Sequence, residues 1–77
     1  MIPQEQIERL GFDAWANCRI TDAVENTQYM MSGEGFVRYE HPNTLTVYIE
    51  WDENGYTASL RAYTKDGWKE HNISIKR

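Results

Sequence analysis

The chain reads as an α+β domain: a short N-terminal helix, with a second helical stretch behind it, on one face of an antiparallel β-meander of three to five strands. Three observations carry this. Leu45, Val47, Ile49 and Trp51 alternate with Thr44, Thr46, Tyr48 and Glu50, the two-residue period of a half-buried strand. Two Asx-Gly dipeptides, Asn54-Gly55 and Asp66-Gly67, punctuate the alternating runs and supply the positive φ angles of tight hairpin turns. Pro3 and Gly11 frame an amphipathic segment as helix start and stop. Residues 1–20 are therefore expected to be mainly helical and the sheet to fall within residues 28–77, its meander over about residues 35–76, all in one domain.

The first helix is expected over residues 3–10. Ile7 and Leu10 share a stripe, while Gln4, Glu5, Glu8 and Arg9 face water. Behind it, Phe12, Trp15 and Cys18 repeat every three residues after Asp13, an N-cap type, which suggests a helical turn over 13–18. Residues 21–31 have two readings. Asp22 and Glu25 could form a capping box for a helix ending at Gly33, or residues 28–31 could form a strand pairing with 36–39 across Ser32-Gly33-Glu34-Gly35. The strand is favoured, because Gly-rich turns so often join paired strands.

If Asn54-Gly55 is the whole first loop, Trp51 faces Ala58, Ile49 faces Leu60 and Val47 faces Ala62. With Asp66-Gly67 as the second, Leu60 faces Ile73 and Ala58 faces Ile75. A connection through His41-Pro42-Asn43 sets Val37 against Val47 and Tyr39 against Leu45. Three turns judged separately yield one apolar face, and small Ala58 and Ala62 leave room on it for the helix.

The same counting places Phe36, Tyr48, Arg61 and Asn72 in one row of the opposite face, and Arg38, Thr46, Tyr63 and Glu70 in the next, with Trp68 at its edge. This outer face is richer in aromatic rings than a solvated sheet needs, and rings mixed with arginine are the material of binding hot spots. Phe36, Arg38, Tyr48, Glu50, Arg61, Tyr63 and Trp68 are the candidate binding residues. Their bland reading is that aromatic residues favour strands and stabilise them in cross-strand pairs, with Arg61 stacked on Tyr48.

Composition bounds the function. Of 77 residues, 40% are hydrophobic and 13% aromatic, enough for one core and not for two. The net charge of −4 argues against non-specific binding to nucleic acid or anionic lipid. No apolar run approaches the about 18 residues of a membrane span, and the first residues lack the pattern of a signal peptide. A single cysteine, Cys18, permits no internal disulfide, so the expected location is cytoplasmic.

No catalytic or metal signature emerges, and neither enzyme activity nor a cofactor is expected. Cys18 with His41 or His71 is the one cysteine-type nucleophile and base combination. Cys18, however, falls on the apolar stripe, His71 opposite Ala62, and His41 in a turn. Glu40-His41 and Glu70-His71 cannot chelate from a regular strand, where adjacent side chains point to opposite faces. Gly33-Glu34-Gly35 lacks the rest of a phosphate loop, and Asn72-Ile73-Ser74 reads as an accidental glycosylation sequon.

The remaining expectation is a non-catalytic protein-binding module whose partner is another protein or a second copy of itself through a sheet edge. Small acidic single-domain proteins are often inhibitors encoded by phages or mobile elements against host proteins such as defence nucleases. Two alternatives use nucleic-acid chemistry. The aromatic and arginine face could stack single-stranded bases, or Glu34, Glu50, Asp52 and Glu53 could imitate a phosphate backbone. Four carboxylates, Glu34, Glu40, Glu50 and Glu70, are expected on the outer face, where they disfavour the first. Lys69, Lys76 and Arg77 are expected to discourage pairing at the free edge of the last strand.

Overall fold

A computed structural model describes residues 4–41 and 44–76. Helix α1 spans Gln4–Leu10 and ends at Gly11, whose φ of 87° lets its N–H donate back to the Ile7 carbonyl at 2.8 Å. Pro3, the expected first helical residue, lies outside the described residues. Ile7 is buried, whereas Leu10 is 50% exposed, contrary to expectation. A helix of two turns has little room on its buried line, and Ile7 takes it.

Helix α2 spans Phe12–Thr27, far beyond the expected 13–18. It starts one residue before Asp13, with the Gly11 carbonyl accepting the Trp15 N–H at 3.1 Å, so Asp13 lies in the first turn and does not cap it. The helix runs on because Ala16, Ile20, Val24 and Thr27 recur at helical spacing and are all buried. Asp22 and Glu25 are exposed residues within it, not the start of a new helix. Cys18 is exposed, not buried. A three-residue repeat drifts by about 60° per step around a helix of 3.6 residues per turn, so a line through Phe12 and Trp15 has left the core by Cys18.

Residues 28–31 do not form the expected strand. Gln28–Met30 is a single 3-10 turn that continues α2. Buried Thr27 accounts for this, since its hydroxyl donates to the Ala23 carbonyl at 2.6 Å and accepts from the Tyr39 hydroxyl at 2.6 Å. The end of the helix is thereby pinned to the first strand, and the sheet begins at residue 35.

The sheet has four antiparallel strands in chain order: β1 (Gly35–His41), β2 (Leu45–Asp52), β3 (Gly55–Thr64) and β4 (Gly67–Lys76). Its span matches the expected meander, but each register is displaced by two residues. Trp51 faces Tyr56, Ile49 faces Ala58 and Val47 faces Leu60. Leu60 faces His71 and Ala58 faces Ile73, while Val37 faces Ile49 and Tyr39 faces Val47.

Turn chemistry explains the two hairpin shifts. The loops are Glu53-Asn54 and Lys65-Asp66, and each glycine opens the returning strand, with φ of 140° at Gly55 and 102° at Gly67. The side chain before each loop closes it: Asp52 Oδ1 accepts the Asn54 N–H at 2.7 Å, and Thr64 Oγ1 accepts the Asp66 N–H at 3.1 Å while donating to the Gly67 carbonyl. The β1–β2 connection passes through Pro42 and Asn43, outside the described residues. A shift of two leaves every side chain on its expected face.

On the inner face, Leu45, Val47, Ile49 and Trp51 of β2 and Ala58, Leu60 and Ala62 of β3 join Ile7, Trp15, Ala16, Ile20 and Val24 in one core. The two alanines make room for α2, as the sequence suggests. Gly35 lies opposite Trp51, where a Cβ would approach the indole ring to 2.7 Å. The Trp51 Nε1–H donates to the Ser32 carbonyl at 3.4 Å. Lys65, in the last loop, donates to Glu8 of α1, and this hydrogen bond together with the Glu8 charge holds its ammonium above the ordinary lysine range.

Ile20→Ala and Leu60→Ala are each expected to lower stability by about 2–5 kcal/mol in urea titrations, because both side chains are fully enclosed. Gly55→Ala should cost more than Gly67→Ala in the same assay. Both positions have positive φ, but only at Gly55 would a Cβ collide with backbone, meeting the Ile75 carbonyl oxygen at 2.0 Å.

Candidate functional site on the outer sheet face

The face turned away from the helices carries every candidate binding residue. Alternation along the strands projects Phe36, Arg38 and Glu40 from β1, and Thr46, Tyr48 and Glu50 from β2. Ser59, Arg61 and Tyr63 of β3 and Trp68 and Glu70 of β4 complete it. The shifted register changes the rows. Arg38, Tyr48, Ser59 and Asn72 form one, Glu40, Thr46, Arg61 and Glu70 the next, and Phe36 stands in a third with Glu50 and Thr57. Neither expected row survives, because all three strand pairings are displaced by two residues.

The rings nonetheless meet, Phe36 and Tyr48 diagonally and Tyr63 and Trp68 as direct cross-strand partners. Phe36 stacks on Tyr48 with centroids 5.8 Å apart, and Tyr63 meets Trp68 edge to face at 5.4 Å. Each group carries an arginine. Arg38 lies over Tyr48 at 5.9 Å, and Arg61 lies over Trp68 at 5.7 Å, not over Tyr48 as expected. Each arginine also holds a carboxylate, Arg38 with Glu40 at 3.4 Å and Arg61 with Glu70 at 3.5 Å. The Tyr48 hydroxyl donates to Glu50 at 3.5 Å.

Between the two groups lies an open recess of about 430 Å³, lined by Arg38, Glu40, Tyr48, Arg61 and Trp68 together with the small side chains of Thr46 and Ser59. The sequence reading placed Thr46 on this face without counting it as a binding residue and did not name Ser59; both matter by being small. The Arg38 and Glu40 pairing was legible as two charges on one side of a strand. Arg61 and Glu70 could be paired only with the correct register. Phe36, Tyr63 and Trp68 remain 64%, 53% and 52% exposed.

The carboxylates of the mimicry reading are partly gathered. Glu34, Glu50 and Asp52 line a second open recess, of about 710 Å³, at the end of the sheet, but Phe36, Trp51 and Lys76 share it and interrupt the charge. Tyr29, read as part of a strand, is 87% exposed on the 3-10 turn.

The cysteine and histidines are dispersed over the fold. His41 is in β1, not in a turn, and faces Leu45. His71 is in β4, opposite Leu60 and not Ala62, with Nδ1 3.4 Å from Asp13 Oδ1 and Nε2 3.4 Å from Asn17 Oδ1. The two histidines thus stand on opposite edge strands. Among the described residues no group of three or more His, Cys, Asp or Glu is placed to hold a metal ion. No helix among them is long and apolar enough to cross a membrane.

No protein-family model, curated protein or solved structure matches the chain.

Removing an outer ring should cost little stability. Phe36→Ala or Trp68→Ala is expected to lower it by about 1 kcal/mol, well below the core truncations, in the same urea assay. A double-mutant cycle on Arg61 and Glu70 should return a coupling of about 0–1 kcal/mol, since both side chains are solvated.

Proposed function

We propose that the chain is a non-catalytic protein-binding module whose contact surface is the outer face of the sheet. The observation that supports it most is the recess between two arginine-capped aromatic groups, with Tyr48 on one wall, Trp68 on the other and Thr46 and Ser59 small enough to admit a protruding side chain. Exposed rings held by their neighbours lose little side-chain freedom on binding, and so favour contact energy over ordering cost. Small size and a net charge of −4 support a narrower form of the reading, an inhibitor of a host protein such as a defence nuclease, encoded by a phage or mobile element and acting in the cytoplasm. A second copy of the chain is a further protein partner within this proposal.

Charge pairing weighs against the nucleic-acid alternative. Arg38 and Arg61, the cations it would offer to phosphate, are matched by Glu40 and Glu70. Interruption of the acidic recess by Lys76 weighs against phosphate mimicry.

The deciding experiment is affinity capture of partners from host cells, followed by titration of the captured protein. Tyr48→Ala and Trp68→Ala should each weaken binding by about tenfold or more, with little dependence on salt. Steep salt dependence of binding to single-stranded oligonucleotides, lost in Arg38→Ala or Arg61→Ala, would instead establish the alternative.

A further inference from the structure

We infer that the β4 edge is a self-association surface, on which a second copy of the chain pairs antiparallel across a twofold axis to make one continuous eight-stranded sheet. Among the described residues, strand β4, Gly67–Lys76, is paired on one side only, by β3. Its other side therefore presents a row of backbone donors and acceptors. The surface is separate from the outer-face recess, so the failure of either proposal leaves the other standing.

Of the expected guards of this edge, Lys69 is engaged elsewhere. Lys69 turns back over the Phe12 ring at 5.8 Å and toward Asp66 at 3.9 Å. Arg77 lies outside the described residues. Ile75, by contrast, is 46% exposed, and Ile73 beside it is half-buried, so apolar area on the inner side remains to be covered.

Charge selects the register. Continuity of the two faces requires inner residues to oppose inner residues, which leaves a short series of twofold alignments. With Ile73 against Ile73 of the second copy, Glu70 falls opposite Lys76 in both symmetry-related positions, Asn72 meets Ser74, and His71 covers Ile75. Shifting the axis to Asn72 sets Lys69 against Ile75 and Lys76 against Trp68, and shifting it to His71 opposes the two imidazoles. Only the first alignment of these three gains two opposite-charge pairs and an apolar contact together. Joining β1 to β4 would be a head-to-tail contact that leaves edges open and propagates, whereas a β4 twofold closes.

Light scattering on the purified chain over about 1–100 μM should detect a dimer. Lys76→Glu and Glu70→Lys should each weaken it by about tenfold, by setting like charges opposite each other twice, and the double reversal should restore it. In a Cys18→Ser background, Ile73→Cys should crosslink two copies under mild oxidation and Ile75→Cys should not, because only the former meets itself. A monomer across the whole range overturns the inference. So does a dimer indifferent to both single reversals, or one that crosslinks through Ile75→Cys in preference to Ile73→Cys.

Discussion

The structure depends on one contact, the burial of a single helical stripe on the two central strands. Ala16, Ile20 and Val24 of α2 share a core with Val47, Ile49, Leu60 and Ala62. Among the described residues, both α-helices contribute to this one core, on one side of the sheet. Small residues enter where the backbones approach. Ala58 and Ala62 admit the helix, and Gly35 admits the Trp51 ring. Thr27 brings a polar group into this region without cost in lost hydrogen bonds, because both of its partners are present.

One-sided cover has two consequences. The opposite sheet face lies open, and its rings and arginines organise one another into two stacked groups with a recess between them. Both outer strands of the meander also remain edges, since no barrel closure joins β1 to β4. The two surfaces on which partners are proposed are thus by-products of how the core is built. They arise from different unmet needs, apolar contact on the face and backbone pairing at the edge.

Face assignment proved more robust than register. Alternation sets which side of the sheet Tyr48 or Leu60 occupies, and a slip of two residues cannot change that. Register depends on which atoms close a turn. Asp52 and Thr64 each bind a backbone N–H inside the following loop, and this closes both hairpins one residue before the position that Asn54-Gly55 and Asp66-Gly67 suggest. The candidate residues were therefore found on the right face, whereas the recess and the Arg61–Glu70 pair, which require correct neighbours, were not legible. The length of α2 was obscured for a related reason. Thr21, Asp22, Glu25 and Asn26 are polar enough to look like a cap or a turn, and the buried line through Ile20, Val24 and Thr27 is thin and ends on a threonine.

By itself, then, the sequence determined the α+β class, the extent of the meander, the identity of its inner face and the candidate residues of its outer one. All of these follow from local periodicity and from glycine's access to positive φ. Tertiary structure decided the fate of residues 21–31, the exposure of Cys18 and Leu10, and the pairing of strands. Each of those turns on a competition that no local window contains. Thr27 is held at a helix end by Tyr39 from a strand beyond the next turn, and Glu70 reaches Arg61 only once β3 and β4 have found their alignment.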